Sequence, residues 1–297
     1  MNWSKHVDNE NVDSLVDTVM KEDKKTRLDL LLVERGLFPT REASKRAVMA
    51  GLVRSQGQVL DKPGTLVRQN IDVTILKPDH QFVSRGGLKL EHALSAFGCS
   101  VEGRVVLDVG ASTGGFTDCV LKRNARYVHA VDVGYGQFAW ALRNDERVHL
   151  VERTNFRHVD PAIFVPKPDF AVMDVSFISI RLLLPKLVES LSDKSDIVTL
   201  VKPQFEAGKE SVGKGGIVRD PATHYRVLRE VVHSAASSKL QCKDVTFSPI
   251  AGGDGNIEFF LWLCNSGDTP NAADLTSKIE ETVRLAWSTL KDQEVSF

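Results

Sequence analysis

The stretch "VLDVGASTGGFTD" (residues 106–118) has the pattern of a buried strand, a glycine-rich turn and the start of a helix. An apolar run that ends at glycine is typical of a strand in a parallel sheet covered on both faces. The glycines let the backbone come close to a ligand, and the start of the helix offers unpaired N–H groups. The stretch therefore predicts a ligand-binding turn at the carboxyl end of a strand.

Strands and helices alternate after this turn. Further strands are predicted from "YVHAVDVG", "VHLVE", "PDFAVMDVSF" and "DIVTLVKPQ", and a long helix from "HYRVLREVVHSAASSKL". Such alternation predicts an α/β domain, over residues 101–264, whose parallel sheet binds ligands at the carboxyl ends of its strands. The tail, residues 265–297, is polar at first and is expected to contain a helix around residues 273–290.

The spacing of the glycines decides between classes of ligand. A dinucleotide site requires G-x-G-x-x-G, but the glycines are Gly110, Gly114 and Gly115, and a phosphate-binding loop requires lysine where Phe116 stands. The turn resembles instead the D-x-G-x-x-x-G-G motif of S-adenosylmethionine-dependent methyltransferases. The resemblance implies that the methionine part of the cofactor is held by Asp108, Gly110, Ala111, Ser112, Thr113, Gly114 and Gly115.

Two later segments extend this cofactor prediction. Asp132 ends the second strand, 22 residues after Gly110, where an acid typically accepts hydrogen bonds from ribose hydroxyls. Asn155 and Phe156 follow the third strand, where such domains often contact the adenine. S-adenosylmethionine is therefore the expected cofactor.

The chain before this domain divides into an acidic and a basic part. Residues 1–23 are acidic and are expected to form a disordered extension. Residues 24–89 contain 13 basic residues against 6 acidic ones, which favours a polyanionic partner such as nucleic acid, although a solvated surface would look alike. Within residues 24–83, "RLDLLLVERG" and "TREASKRAVMAG" predict two helices, and short β-like runs follow.

This order resembles the small α+β RNA-binding domain first known from ribosomal protein S4. The resemblance covers essentially the whole of that domain, including the basic second helix. It implies salt-dependent contacts with phosphates. The candidates for these contacts are Arg27, Arg41, Lys45, Arg46 and Arg54.

Residues 84–100 are expected to form a linker and the first helix of the catalytic domain. The segment "SRGGLKLEHAL" (residues 84–94) begins with a basic residue and two glycines. Gly86 and Gly87 predict a hinge between the two folded parts, and Arg85 is a further candidate for RNA contact.

Three charged residues stand at the ends of otherwise apolar strands. Asp174 follows "AVM", Lys202 follows "VTLV", and Glu258 precedes "FFLWL". Burial of such charges is costly unless they have partners. Each alone is as well explained by a structural ion pair, but together, in a domain with a ligand-binding turn, they predict a shared site.

With these residues in view, the chain resembles the TlyA family, whose members are described as ribosomal RNA methyltransferases and also as hemolysins. The resemblance covers residues 24–263 and implies a Rossmann-like catalytic domain of the FtsJ type. It also implies a Lys-Asp-Lys-Glu tetrad for 2′-O-methylation of ribosomal RNA. By the family motifs S-R-G-G-x-K, D-x-S-F-I-S, V-K-P-Q-F-E and G-N-x-E, the catalytic residues are Lys89, Asp174, Lys202 and Glu258.

In this reaction we expect Lys202 to activate the ribose hydroxyl, either as a base or as an electrostatic stabiliser. Asp174 and Glu258 would orient the two lysines. The loop "FEAGKESVGKGGIVRDP" (residues 205–221) is expected to contact RNA phosphates through Lys209 and Lys214, or else to be a solvated connection.

The cysteine spacing and the absence of a long apolar run narrow the possible classes of protein. The four cysteines lack C-x-x-C spacing, so no metal site is expected, and no apolar run approaches the ~20 residues of a membrane span. We expect a monomer that works on ribosomal RNA or ribosomal subunits in the cytoplasm, or in an organelle of a eukaryote. The alternatives are a membrane-active hemolysin, which should have a secretion signal and a lipid-facing segment, and an RNA-binding assembly factor without catalysis.

Overall fold

The computed structural model describes residues 25–49, 51–76, 81–252, 255–265 and 272–291, and the chain divides into two compact units between Gln81 and Phe82. The acidic extension over residues 1–23, and the disorder predicted for it, lie outside the described residues.

The first unit packs two helices on short antiparallel strands. β1 pairs with β4, and β2 lies between β3 and β5. Its core is made by Leu28, Leu32, Val48 and Val53, all fully buried. The elements are α1 (Leu28–Glu34), α2 (Arg41–Met49), β1 (Lys25–Arg27), β2 (Val53–Ser55), β3 (Gln58–Val59), β4 (Leu66–Arg68) and β5 (Thr74–Ile75).

The second unit is built on a seven-stranded sheet. Its strands are β6 (Val105–Val109), β7 (Tyr127–Val131), β8 (Val148–Val151), β9 (Phe170–Met173), β10 (Asp196–Val201), β11 (Gln241–Phe247) and β12 (Phe259–Cys264). The order is β11-β12-β10-β9-β6-β7-β8. The five strands from β10 to β8 are parallel, and β12 is antiparallel to both of its neighbours. The predicted α/β fold is confirmed.

Helices cover both faces of this sheet. They are α3 (Gly86–Phe97), α4 (Gly115–Lys122), α5 (Trp140–Arg143), α6 (Leu184–Ser190), α7 (Pro203–Glu206), α8 (Pro221–Ser237) and α9 (Ala272–Lys291). Side chains of β6 alternate between the two cores: Val106 packs with Leu90 of α3, and Leu107 packs with residues of α6 and α8. Because β6 is covered on both sides, its sequence is an unbroken apolar run up to Asp108.

The order of the strands determines where a ligand can bind. From β6 the chain continues to β7 and β8 on one side, and then returns to place β9 and β10 on the other side. The crossovers therefore leave β6 and β9 in opposite directions, and a crevice opens at their carboxyl ends. The glycine turn follows β6, and Asp174 follows β9, so both lie at this crevice.

Gly86 and Gly87, which the sequence predicts to form a hinge, lie in a helix. Both belong to the first turn of α3, where a Cβ on Gly87 would lie 2.4 Å from Cγ of Phe82. A Cβ on Gly115 of α4 would likewise lie 3.0 Å from the backbone nitrogen of Gly87. Close packing of the beginnings of α3 and α4 accounts for Gly87, whereas a Cβ on Gly86 would make ordinary contacts of 3.5 Å or more; the hinge stays a prediction.

Candidate active site

Two lysine–carboxylate pairs meet at the carboxyl edge of the sheet. Nζ of Lys202, directly after β10, lies 2.6 Å from Oδ1 of Asp174, directly after β9. Lys89, in the first turn of α3, forms an ion pair with Glu258, directly before β12. Each lysine side chain is only 12% exposed. Four segments that are far apart in the sequence thus bring the predicted tetrad residues together as two largely buried pairs.

The two pairs share one electrostatic environment. Burial raises the pKa of Glu258 above its ordinary value, the charge of Lys89 opposes the rise, and the charges of Asp174 and Lys202 act on it with opposite signs. Because Asp174 and Lys202 influence this carboxyl, the pairs are close enough to be coupled. The arrangement holds two ammonium groups beside two carboxylates in a place that water reaches poorly.

Two neighbours of Asp174 were missed in the sequence. The hydroxyl of Ser176 accepts a hydrogen bond from Nζ of Lys202, at 2.8 Å. Phe177 has a positive φ of 64°, and its side chain is 91% exposed although its ring lies 5.2 Å from that of Phe205. An exposed aromatic ring in a strained backbone is a signal of function, but neither property can be read from the letters "DVSF".

The glycine turn after β6 lies against the loop that contains Asp174. Gly110 has a φ of 84°, and a Cβ there would lie 2.4 Å from the carbonyl oxygen of Asp174. Gly114 has a φ of 94°, and a Cβ there would lie 2.5 Å from Leu142. Both positions require glycine for conformation and for space.

Asp108 lies beneath this turn and is fully buried. One oxygen of its carboxyl accepts a 2.6 Å hydrogen bond from the hydroxyl of Thr117, and the other, Oδ1, has no hydrogen-bond partner among the described residues. Burial, and next the charges of Asp174 and Asp132, raise the pKa of Asp108 to about 7. The sequence predicted this acid at the turn, and the structure places it under the turn with one oxygen unpaired.

Asp132, at the end of β7, is tied to the same turn. Its Oδ2 accepts a hydrogen bond from the backbone N–H of Ser112 at 2.7 Å, and its Oδ1 accepts one from the N–H of Gly134 at 2.6 Å. The side chain of Asn155 accepts a hydrogen bond from the N–H of Arg157. Phe156 is only 4% exposed and packs against Phe164, and its contact with the adenine stays a prediction.

Known proteins share this organisation. A model of the FtsJ-like methyltransferase family matches residues 82–265, and an S4 domain model matches residues 26–72. YqxC of Bacillus subtilis, a candidate rRNA methyltransferase, is 53% identical over 91% of this chain and 97% of its own length. TlyA of Mycobacterium tuberculosis, a 16S/23S rRNA (cytidine-2′-O)-methyltransferase, is 46% identical over 89% of this chain and 98% of its own.

The chain belongs to the TlyA family. A solved structure of a candidate hemolysin from Streptococcus thermophilus, 46% identical, superposes with a TM-score of 0.73 over 92% of this chain and 99% of that one.

In this TlyA-family chain, two of the predicted RNA contacts of the first unit, Arg27 and Arg41, bind a buried carboxylate. Arg27 donates two hydrogen bonds of 3.0 Å to Asp29, and Arg41 donates one of 2.9 Å. Lys45 pairs with Glu42 on the surface, and Arg54 is exposed on β2.

The other predicted RNA contacts are outside this cluster. The side chain of Arg46 is outside the described residues. In the second unit, Arg85 precedes α3 and is exposed, as are Lys209 and Lys214 in the loop after α7.

That loop is held by a residue that the sequence analysis missed. The side-chain oxygen of Asn256 accepts a hydrogen bond from the N–H of Val218 at 3.0 Å, and its amide donates to the carbonyl of Gly216 at 2.9 Å. Asn256 is fully buried two residues before Glu258. The segment that ends in Glu258 therefore also anchors the glycine-rich loop.

The described part of the TlyA-family chain contains no group of three or more His, Cys, Asp or Glu side chains arranged to hold a metal ion. None of the helices described combines the length and the apolar character that crossing a membrane requires.

Proposed function

We propose that this protein transfers a methyl group from S-adenosylmethionine to a ribose 2′-hydroxyl of ribosomal RNA. The observation that carries the proposal is the pair of buried lysine–carboxylate contacts beside the glycine turn, at the crevice between β6 and β9. The name of the M. tuberculosis relative, a cytidine-2′-O-methyltransferase of 16S and 23S rRNA, supports the same reaction.

The residues around the turn fit the cofactor. Gly110 and Gly114 give the turn positive φ angles and let its backbone pack against Asp174 and Leu142, and one carboxyl oxygen of Asp108 beneath the turn has no hydrogen-bond partner among the described residues. Asp132 offers a carboxylate at the end of β7 for ribose hydroxyls. When bound, S-adenosylmethionine supplies a methyl group activated by the positive charge of its sulfur.

The tetrad suits the chemical requirements of a ribose hydroxyl that accepts a methyl group. A ribose hydroxyl is a weak nucleophile at neutral pH, so the site must stabilise negative charge that develops on its oxygen or remove its proton. Lys202, held by Asp174 and Ser176, is the group we assign to this oxygen. Lys89, held by Glu258, adds a second positive charge in a poorly hydrated place, where such stabilisation is strongest.

Two surfaces fit RNA. The exposed ring of Phe177, three residues after Asp174, offers a face on which a nucleobase can stack. In the first unit, the side chains of Arg27 and Arg41 stay 42% and 45% exposed while they pair with Asp29, so N–H groups not used in these pairs can contact phosphates. The unit would then supply affinity without base specificity.

The substitution Lys202→Ala tests the proposal. Ribosomal subunits from cells that lack the protein would be incubated with the purified full chain and S-adenosylmethionine, and ribose methylation mapped along the 16S and 23S rRNA. We expect the wild-type protein to methylate a defined nucleotide and the variant to be slower by at least about 10²-fold.

Lys194→Ala, on an exposed lysine at the opposite end of strand β10 from Lys202, is the control and should behave as wild type. Calorimetric titration should show that Lys202→Ala still binds S-adenosylmethionine. Equal ribose methylation by wild type and Lys202→Ala would rule the proposed mechanism out, and methylation of a base instead of a ribose would rule out the proposed product.

A further inference from the structure

We propose that Glu206 is a positioning residue for the methyl transfer, because it fixes the loop of residues 174–179, here called the Asp174 loop, against helix α7. The inference rests on the function proposed above. It assigns a role in the reaction to a buried carboxylate that touches none of the four tetrad residues in the contacts described.

All the hydrogen bonds described for the Glu206 carboxylate are at the C-terminal end of the Asp174 loop. Its Oε1 accepts a hydrogen bond from the backbone N–H of Ile180 at 2.7 Å. Its Oε2 accepts one from the hydroxyl of Ser179 at 2.6 Å and one from Nε of Arg181 at 3.1 Å. The residue is only 4% exposed, so these contacts are desolvated and costly to lose.

The N-terminal end of the Asp174 loop is held by the residue that caps the same helix, α7. Lys202, the N-cap of α7, contacts Asp174 and Ser176, and Glu206 ends that helix four residues later. Residues four apart on a helical turn lie on one side of it. One rigid turn therefore holds both ends of the Asp174 loop, through a cation at one end and an anion at the other.

Between the two attachments the loop has a strained conformation. Phe177 has a φ of 64°, and its ring rests on Phe205, which is also part of α7. A non-glycine residue stays in this region only when its surroundings hold it there. Release of the Glu206 end should therefore let the loop relax, and the carboxylate of Asp174 should lose its fixed position on Lys202.

A purely structural role would give a different result. Arg181, which donates to Glu206, also pairs with Glu230 of α8 at 3.4 Å. Glu230 thus shares the arginine with Glu206 but does not contact the Asp174 loop in the contacts described, which makes Glu230→Gln a matched control.

The test compares Glu206→Ala, Glu206→Gln and Ser179→Ala with Glu230→Gln, all in the full chain. For Glu206→Ala, kcat for ribose methylation of ribosomal subunits should fall about 10²-fold, the size expected when a reacting group moves by about 1 Å. The dissociation constant of S-adenosylmethionine should stay within a factor of two. Glu206→Gln should fall less, since its amide oxygen can still accept from the N–H of Ile180.

Amide hydrogen exchange supplies a second readout that does not depend on activity. In Glu206→Ala, residues 175–180 should exchange faster while strand β9 does not change; Glu230→Gln should leave both exchange and kcat as in wild type. If Glu206→Ala does not fold, Ser179→Ala takes its place, with a smaller fall in kcat and the same local exchange.

Unchanged kcat and unchanged loop exchange in the folded variants would overturn the proposal, as would faster exchange spread over the whole sheet. A wild-type protein that methylates no ribose would instead refute the proposed function, and the exchange comparison would still decide the positioning role.

Discussion

Each of the two units buries a carboxylate next to basic residues, but the pKa of the carboxyl group shifts in opposite directions in the two units. In the first unit, Asp29 has a fully buried side chain, but its partners Arg27 and Arg41 are 42% and 45% exposed. In the second unit, the side chains of Glu258 and Lys89 are 3% and 12% exposed. The hydrogen bond from Arg27, above all, lowers the pKa of Asp29 to about 2, whereas burial raises the pKa of Glu258.

The difference shows how the solvent exposure of the basic partner affects the pKa of the carboxylate in an ion pair. Two partly exposed arginines stabilise the charged form of Asp29, and Asp29 in return fixes their positions. At Glu258 the single ammonium of Lys89 does not outweigh desolvation, so the pair remains sensitive to its neighbours. The first arrangement suits presentation of positive charge to RNA, and the second suits chemistry.

The largest effect should come from loss of the lysine in the buried pair. Lys89→Met leaves Glu258 without its cation, so the pKa of Glu258 should rise further and ribose methylation should fall by at least about 10²-fold. The free energy of unfolding should drop by about 3 kcal/mol, as expected when one partner of a buried pair is removed. Denaturant unfolding and single-turnover kinetics measure the two effects.

The variant to compare with Lys89→Met is Arg27→Met in the first unit, where Asp29 still has Arg41 as a hydrogen-bond partner. Its loss of methylation should stay below about 10-fold, because Arg27 is outside the tetrad and is one of several candidate phosphate contacts. The double variant Lys89→Met/Glu258→Gln should recover stability and stay inactive. Recovery of activity in the double variant would show that the pair is structural and not part of the reaction.

A smaller effect is expected from added bulk at the turn. Gly110→Ala combines a positive φ with a Cβ 2.4 Å from the carbonyl oxygen of Asp174, whereas Gly51→Ala in the first unit has a positive φ and an ordinary 3.5 Å contact. Both should lose about 1–3 kcal/mol through backbone strain. Only Gly110→Ala should also weaken binding of S-adenosylmethionine, measured by calorimetry; equal binding by both variants would contradict the close approach at the turn.

The smallest effect concerns pH and the first unit. Because folding lowers the pKa of Asp29 to about 2, its contribution is complete above the ordinary carboxyl pKa and is lost as the pH falls from about 4 towards 2. Asp29→Asn should lose about 2 kcal/mol of stability at neutral pH and lose this acid dependence. NMR signals of helix α1 in the full chain, followed through an acid titration, measure it; an unaltered acid transition would show that Asp29 is not the group responsible.

The parts of the site that the sequence revealed share one property. Asp174, Lys202 and Glu258 are charges that border apolar strands, and the glycine turn follows a strand directly. These positions are visible because a charge or a glycine interrupts an otherwise uniform pattern. The same reasoning did not reveal the close helix packing at Gly87, where a Cβ would lie 2.4 Å from Phe82.

The residues that were missed lie in segments whose polarity is ordinary for loops. Ser176 and Glu206 matter through partners 26 residues away, and Asn256 through partners 38 and 40 residues away. Nothing in the local pattern distinguishes a buried glutamate that holds a loop from one on the surface.

The sequence by itself determined the alternation of strands and helices, the turn after β6 and the charges at the strand ends, because each depends on neighbouring residues and on hydrophobic period. Only the tertiary structure decided how those charges pair. Lys89 meets Glu258 across 169 residues, and Lys202 meets Asp174, because the sheet order brings their strand ends together. Pairing, burial and the resulting pKa shifts depend on distances in space, which the order of residues along the chain does not contain.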